Sequence, residues 1–326
     1  MTEPGRGRGP RCRRAAFWSS ALLLLGVTVV IAFRACDADG ITPVPQALAF
    51  LPWLLVPAGL AFGLAVPARW RTGMVWAVVL LCATGWYARP YGPGTTGARG
   101  PVVAELRVLT ANVEFGGATD ALIGTLGRDR PDVVFVEECD FDCADALAAR
   151  VPHTTYPYRE VVRLDGSLGS AILSRFPLRP ADRIDGRMAM PGAVATVAGR
   201  DVRLQLAHPL PPVPGGVDDW SEELGRVRDF AAGTRGERTV LAGDFNASQD
   251  HAAFRAVLDA GGLHDSARIA GAYRAYSWPA DRTTPLRTQI DHVLVSEHFS
   301  VRSARFRHLA GTDHRALLVE LSLHTG

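Results

Sequence analysis

Residues 241–248, LAGDFNAS, run an apolar strand into Gly243, Asp244 and Asn246. Two polar residues spaced by two at a strand end share one side of the chain, offering a charged acceptor beside an amide. An Asx turn around a glycine would explain the same letters. Other segments repeat the pattern. Asn112 closes RVLTANV and Glu138 closes PDVVFVEE, while Asp291 opens IDHVLVS and Asp313 and His314 open TDHRALLVEL. Polar groups that repeatedly mark the ends of apolar runs predict one convergent site on the rim of a sheet.

Around this site, strand signals fall at 106–112, 132–137, 169–174, 193–198, 201–207, 239–243, 291–295, 301–307 and 316–321, and helix signals at 118–129, 143–150, 219–232 and 250–260. Many strands with fewer helices predict an α/β domain of packed sheets covered by helices. The order TANV, VFVEE, GSAILSRFPL, LAHP, GDFNA, IDHVLVS, TDHRAL then resembles the endonuclease/exonuclease/phosphatase superfamily with its DNase I-like fold, in a membrane-anchored bacterial form. The resemblance spans nearly all of 106–321. It implies a four-layer sandwich, two packed mixed β-sheets flanked by helices, and metal-dependent hydrolysis of phosphate esters with magnesium, or manganese in its place.

Matched position by position, the resemblance implies metal ligation by Asn112, Glu138 and Asp313. It implies that Asp244 and Asn246 orient the attacking water and hold phosphate, that His208 and His314 are the phosphate-binding and acid/base histidines, and that Asp291 orients His314. Elementary chemistry agrees: magnesium takes hard oxygen ligands, and a carboxylate bonded to an imidazole fixes its tautomer and raises its basicity. Bland readings stand beside these, with Asn112 satisfying backbone groups and Asp313 capping a turn. Glu137 and Glu138 are adjacent and face opposite ways along a strand. The family pattern favours Glu138, Glu137 standing where glutamine is commoner. His292 reads as structural, and most of the remaining histidines as surface residues. The loop PLPPVPGGVDDW after His208 is either a border of the substrate cleft walled by Trp220 or an ordinary connection.

The net charge of +2 over 326 residues conceals a division. Residues 1–100 carry +7 and residues 101–326 carry −5. All 35 basic residues are arginine, which excludes Schiff-base lysine chemistry and a P-loop ammonium. Residues 17–33, 46–66 and 73–88 are uncharged and apolar, and each approaches the roughly 20 residues that cross a bilayer. The first also has the form of a signal peptide. About three transmembrane helices are expected to precede the catalytic domain. Arg6, Arg8, Arg11, Arg13 and Arg14, with Arg69 and Arg71, put the N-terminus and second loop in the cytoplasm and everything after residue 89 outside. Prolines 43, 45, 52 and 57 are expected to kink the second span.

The expected organisation is a basic tail at 1–16, a three-span membrane region at 17–88, a Gly/Pro-rich linker at 89–104, and the catalytic domain at 105–326. Cys139 and Cys143 either pair in an oxidising exterior or remain thiols. Substrates in view are nucleic acid, a phospholipid headgroup or another envelope phosphate ester, and no feature points to a protein partner. A catalytically silent binding module on the same fold is the alternative function.

Overall fold

A computed structural model describes residues 10–280 and 284–326. Arg6, Arg8 and the start of the basic tail lie outside the described residues. The chain divides into two compact units, Met1–Arg89 and Pro90–Gly326.

The first unit is helical: α1 (Pro10–Ala35), α2 (Val44–Ala49), a 3-10 turn (Leu51–Leu54), α3 (Leu55–Ala68) and α4 (Arg71–Tyr87). Two stretches are long and apolar enough to cross a membrane, Arg11–Ala35 and Leu51–Ala68. The third expected span is only 17 residues as a helix, about 26 Å of rise against a ~30 Å hydrocarbon core. The second is not one kinked helix over 46–66. Pro52 has no N–H to continue the ladder of α2, so the chain passes through the 3-10 turn, and Pro57 falls harmlessly in the first turn of α3. Inside the bundle, small residues Ala58, Ala61 and Ala77 pack beside Leu24 and Leu80. Ser20 Oγ donates to the Ala61 carbonyl at 2.8 Å, and Trp76 Nε1 donates to Thr28 Oγ1 at 2.9 Å. The outside is apolar, with Trp18, Leu22, Val56, Leu60, Val75 and Val79 all exposed. Large apolar side chains on the outside, around an interior that mixes alanines with Leu24, Val27, Ile31 and Leu80, depart from the polar exterior of a water-soluble bundle.

The second unit runs β1 (Val102–Asn112), α5 (Thr119–Asp129), β2 (Val133–Glu137), α6 (Phe141–Arg150), β3 (Tyr158–Val162), β4 (Ser170–Ser174), β5 (Leu178–Ile184), β6 (Met190–Val197), β7 (Arg200–Leu206), α7 (Val217–Gly233), β8 (Thr239–Asp244), α8 (Ala252–Gly261), β9 (His264–Asp265), α9 (Ser266–Ile269), β10 (Asp291–Val295), β11 (Phe299–His308) and β12 (Arg315–His324). The strands form two six-stranded sheets, in the orders β11-β12-β1-β2-β4-β3 and β5-β6-β7-β8-β10-β9. Each is mixed, because β1 with β2 and β7 with β8 are parallel while their other neighbours are antiparallel.

Alternation along the strands builds the layers. Leu106, Val108, Val133 and Phe135 face Leu204, Leu206, Val240, Ala242 and Val293 between the sheets. The intervening residues Leu109, Ala111, Val134 and Val136 pack outward against Leu122, Leu126 and Leu147 of α5 and α6. On the other side Leu241 and Leu294 pack against Trp220, Leu224 and Phe254 of α7 and α8. Strands buried on both faces read as continuous apolar runs, which is why β1, β2 and β8 are plain in the sequence. The edge strands β3 (YREVV) and β5 (LRPADRI) are half exposed, carry charge or proline, and give no such signal.

Glu137 occupies the last inward-facing position of β2 and is fully buried. Thr110 Oγ1 donates to its Oε1 at 2.8 Å, while its Oε2 has no partner among the described residues. Burial, and then the negative charge of Asp291 and Asp244, hold its pKa well above the usual carboxylate range. The folded state therefore binds this proton more tightly than the unfolded chain, so stability falls as pH rises above about 4.3 toward the folded pKa. Glu137→Gln keeps the shape and removes the ionisation. The variant's gain in Tm over the wild type is expected to be at least about 2 °C larger at pH 8 than at pH 5, the effect of roughly 1 kcal/mol in a domain of this size. Equal gaps at the two pH values would show that Glu137 does not ionise differently on folding.

Candidate active site

The last inward positions of several strands meet at one end of the sandwich, between the two sheets. From the first sheet comes Asn112, directly beside Glu137 in the parallel register of β1 and β2. From the second come Asp244 and Asp291, cross-strand partners in the antiparallel pair of β8 and β10. His208 follows β7 on the same face and is buried. Glu138 would point outward if the strand continued, but its φ of 57° turns it back over the rim. Glu137 thus lies a layer deeper and Glu138 faces the cleft.

Gly243 makes the close approach possible. Its φ is 149°, and a Cβ there would sit 2.0 Å from the carbonyl oxygen of Ala207. No other residue lets β8 pass this near to the residue before His208. Asn246 also sits in the left-handed region, at φ 48°, which asparagine tolerates. Its backbone N–H donates to Asp244 Oδ1 at 2.9 Å and its side-chain amide donates to the Pro209 carbonyl at 3.0 Å.

The amide of Asn112 bridges the carboxylates, donating to Glu138 Oε1 at 3.0 Å and to Asp244 Oδ2 at 3.1 Å. His208 Nε2 lies 3.8 Å from Glu138 Oε1 and 3.9 Å from Asp244 Oδ2, too far for hydrogen bonds. Both its ring nitrogens are buried and have no partner among the described residues. Asp291 Oδ2 accepts from His314 Nδ1 at 2.9 Å, and His314 Nε2 lies 3.7 Å from both Asp244 Oδ2 and Asp313 Oδ1. The structure therefore brings all eight residues singled out above to one rim.

The electrostatics separate the two histidines. Burial pushes His208 down to about 3, helped by the positive charge of His314, so it is a neutral imidazole. Burial also opposes the charged form of His314, but Asp291 and then Asp244 outweigh it and raise the group to about 10. Burial raises Asp244 to about 7 against the pull of His314. Glu138 is likewise raised, chiefly by burial.

Asp244, Asp291 and His314 present ligand atoms within 4.8 Å of one another, a candidate metal group by distance. An imidazolium bonded to a carboxylate has no lone pair to offer a cation. The oxygen-rich side, with Asn112, Glu138 and Asp313, suits a hard cation better.

Several supports escaped the sequence reading. Trp278 Nε1 donates to Asp313 Oδ2 at 2.8 Å, leaving Oδ1 toward His314. Ser277 Oγ accepts from the N–H groups of Ile290 and Asp291 at 2.9 and 3.1 Å. Buried Glu223 on α7 accepts from the backbone of Arg187 and of Leu210, both at 2.7 Å, and so fastens the loop after His208. Trp220 does not wall the cleft: it is fully buried, and its indole donates to the Asn246 carbonyl at 3.1 Å. His251 is also fully buried rather than on the surface, its Nδ1 accepting from Ser248 N–H at 2.9 Å. Cys139 and Cys143 form a disulfide across the first turn of α6, where Asp140 caps the helix by accepting from Cys143 N–H at 2.8 Å.

The profile of the endonuclease/exonuclease/phosphatase family matches residues 109–314, well over half of the chain. The chain belongs to that family. No curated protein matches the sequence. Among solved structures, the endonuclease/exonuclease/phosphatase fold is shared with TDP2 of D. rerio complexed with single strand DNA product, at 19% identity and TM-score 0.55 over 67% of this chain and 99% of that one. An endonuclease/exonuclease/phosphatase from Beutenbergia cavernae is 20% identical with TM-score 0.53, over 68% of this chain and 72% of that one. A mannosyl-6-phosphatase from Bacteroides thetaiotaomicron is 18% identical with TM-score 0.51, over 66% and 99%. At these identities the likeness is one of fold.

Proposed function

We propose that the protein is a membrane-anchored, divalent-metal-dependent hydrolase of phosphate esters. The observation that carries this reading is the meeting of Asn112, Glu138, His208, Asp244, Asn246, Asp291, Asp313 and His314 at one rim, with carboxylates in excess of cationic groups. Asn112, Glu138 and Asp313 would hold Mg2+, or Mn2+ in its place. When bound, the cation supplies charge stabilisation at a phosphoryl oxygen and at the leaving group.

The chain's own residues supply the rest. Asp244, held by the Asn246 N–H on one oxygen and the Asn112 amide on the other, accepts a proton from the attacking water. A group at about 7 is matched to that task near neutral pH. His208 is a neutral imidazole with both nitrogens unspent, so it donates to a non-bridging phosphate oxygen without first breaking another bond. Asn246 spends one amide hydrogen on Pro209 and keeps the second for phosphate. His314, oriented by Asp291, enters as an imidazolium that donates from Nε2 as charge develops.

Two solved structures with this fold support the substrate class, one complexed with a single-strand DNA product and one a mannosyl-6-phosphatase. The proposed organisation is the basic tail at 1–16, membrane region at 17–88, linker at 89–104 and catalytic domain at 105–326, the last outside the cytoplasm. The apolar outer surface of the helical unit and its arginine bias support this. A C-terminal reporter active only outside the cytoplasm is expected to be active, and activity of a cytoplasmic reporter at that position would overturn the topology.

The function is tested by incubating the full chain with plasmid DNA, a phosphodiester reporter, a sugar phosphate and phospholipid vesicles, with and without chelator. Hydrolysis of at least one substrate is expected, abolished by chelator and restored by excess Mg2+. Failure on every substrate, or indifference to chelator, sinks the proposal, and the first outcome would favour the silent binding module.

A further inference from the structure

One side of the rim is apolar, and the backbone is strained to make it so. Phe115 is 59% exposed and sits at φ 53°, a conformation that bulky side chains rarely adopt. Glu114 before it is also left-handed, at φ 44°. Two bonds to one residue hold this turn, Phe115 N–H to Glu138 Oε2 at 3.2 Å and Gly116 N–H to the Glu138 carbonyl at 2.9 Å. A Cβ on Gly116 would come 2.5 Å from Asp140 Oδ1, so the turn lies against the cap of α6. The first residue of that helix, Phe141, is 45% exposed, with the Arg163 guanidinium 5.9 Å from its ring centre. Leu164, next to Arg163 in sequence, is 39% exposed, and its loop returns at Gly166, where a Cβ would lie 3.9 Å from the Phe115 ring. The loops after β1, β2 and β3 thus carry Phe115, Phe141 and Leu164 along one lip of the rim, with Leu164 at its far end lining a pocket with Val162, Ile184 and Arg187.

Holding a large aromatic in water, in a costly backbone conformation, beside a catalytic carboxylate is the kind of strain that marks a ligand contact. We propose that this lip receives the alkyl or acyl portion of the substrate, so that the protein acts on phosphate esters bearing an apolar chain. The inference rests on the phosphoester reading and narrows it. A nucleic acid is the weaker fit. Arg163, the cation over Phe141, is committed to Asp145 at 2.7 Å, residues 101–326 carry −5, and aliphatic Leu164 offers no stacking face.

The test is a chain-length series on the full chain held in lipid nanodiscs: p-nitrophenyl methyl, butyl and octyl phosphates, the matching alkyl phosphates, and a single-stranded DNA oligonucleotide. In the wild type, kcat/KM is expected to rise at least about 10-fold from methyl to octyl, a small part of what full burial of seven methylenes would give. Phe115→Asn, which suits the same backbone conformation, combined with Leu164→Ser should flatten the octyl-to-methyl ratio to below about 3. The ratio is internal to each variant, so a general loss of activity does not mimic it. A flat series in the wild type, an unchanged ratio in the variant, or faster cleavage of the oligonucleotide than of any alkyl ester would overturn the inference while leaving phosphoester hydrolysis in place. Absence of hydrolysis on the whole series and on the wider substrate panel removes both.

Discussion

Asp244→Asn is expected to lower turnover by about 10³-fold while the domain stays folded. The carboxylate is placed by two donors, Asn246 N–H on Oδ1 and the Asn112 amide on Oδ2, and faces His208 and His314 across the cleft. Asparagine fills the same volume but cannot take a proton, and general-base catalysis is typically worth 10²–10⁴-fold. The stability consequence has the opposite sign. Burial raises Asp244 to about 7, so the native state holds its proton more tightly than the unfolded chain, and stability declines as pH rises from about 4 through 7. Removing the charge lifts that penalty, so at pH 8 the variant's Tm should equal or exceed that of the wild type. Steady-state kinetics and a thermal melt on one preparation check both halves. Near-full activity of the variant would remove Asp244 from the chemistry.

Asp291→Asn and His314→Ala are each expected to cost roughly 10²–10³-fold in kcat, and the double variant little more than the worse single one. The two side chains act as one unit through the 2.9 Å bond between Oδ2 and Nδ1, and losses within such a unit do not add. The pair also leaves a mark on stability. His314 is raised from 6.5 to about 10, so its stabilising contribution is fully present below pH 6.5 and is lost as pH climbs through about 10. A melt series from pH 7 to 10.5 should show Tm falling in the wild type and falling at lower pH in Asp291→Asn. Since His314→Ala leaves Asp291 buried and unpaired, that variant melts lower, and Asp291→Asn carries the kinetic comparison. Fully additive losses would mean that the two residues serve separate roles.

The core of the fold was readable because strands buried on both faces must be apolar throughout, and because each then ends in a polar residue. Asn112, Asp244 and Asp291 announce themselves in this way, as the last inward positions of their strands. Edge strands such as β5 carry no such contrast, with Pro180, Asp182 and Arg183 facing water. Local letters also could not show which of Glu137 and Glu138 faces the cleft, since that depends on one left-handed residue. Trp278 and Glu223 were invisible for another reason: they act on residues 35 and 13 positions away, through bonds that exist only once the chain is folded. In the helical unit, counting apolar residues gave one run over 46–66, because a tally of hydropathy does not register that Pro52 breaks the hydrogen-bond ladder and divides the run.

Strands β1 and β12 lie side by side in the first sheet, and the Thr312 hydroxyl donates to the carbonyl of Asn112, 200 positions away in sequence. Two of the eight rim residues, Asn112 and Glu138, are thus written early in the chain, while Asp313 and His314 come just before β12. During synthesis the early strand waits, unpaired on that edge, until residues 315–324 have emerged. A ribosome-bound fragment that stops short of residue 313 can hold the carboxylate of Glu138 and even Asp244, yet it has no imidazolium to complete them. The order of translation therefore brings Asp313 and His314 to the rim after every other residue of the site.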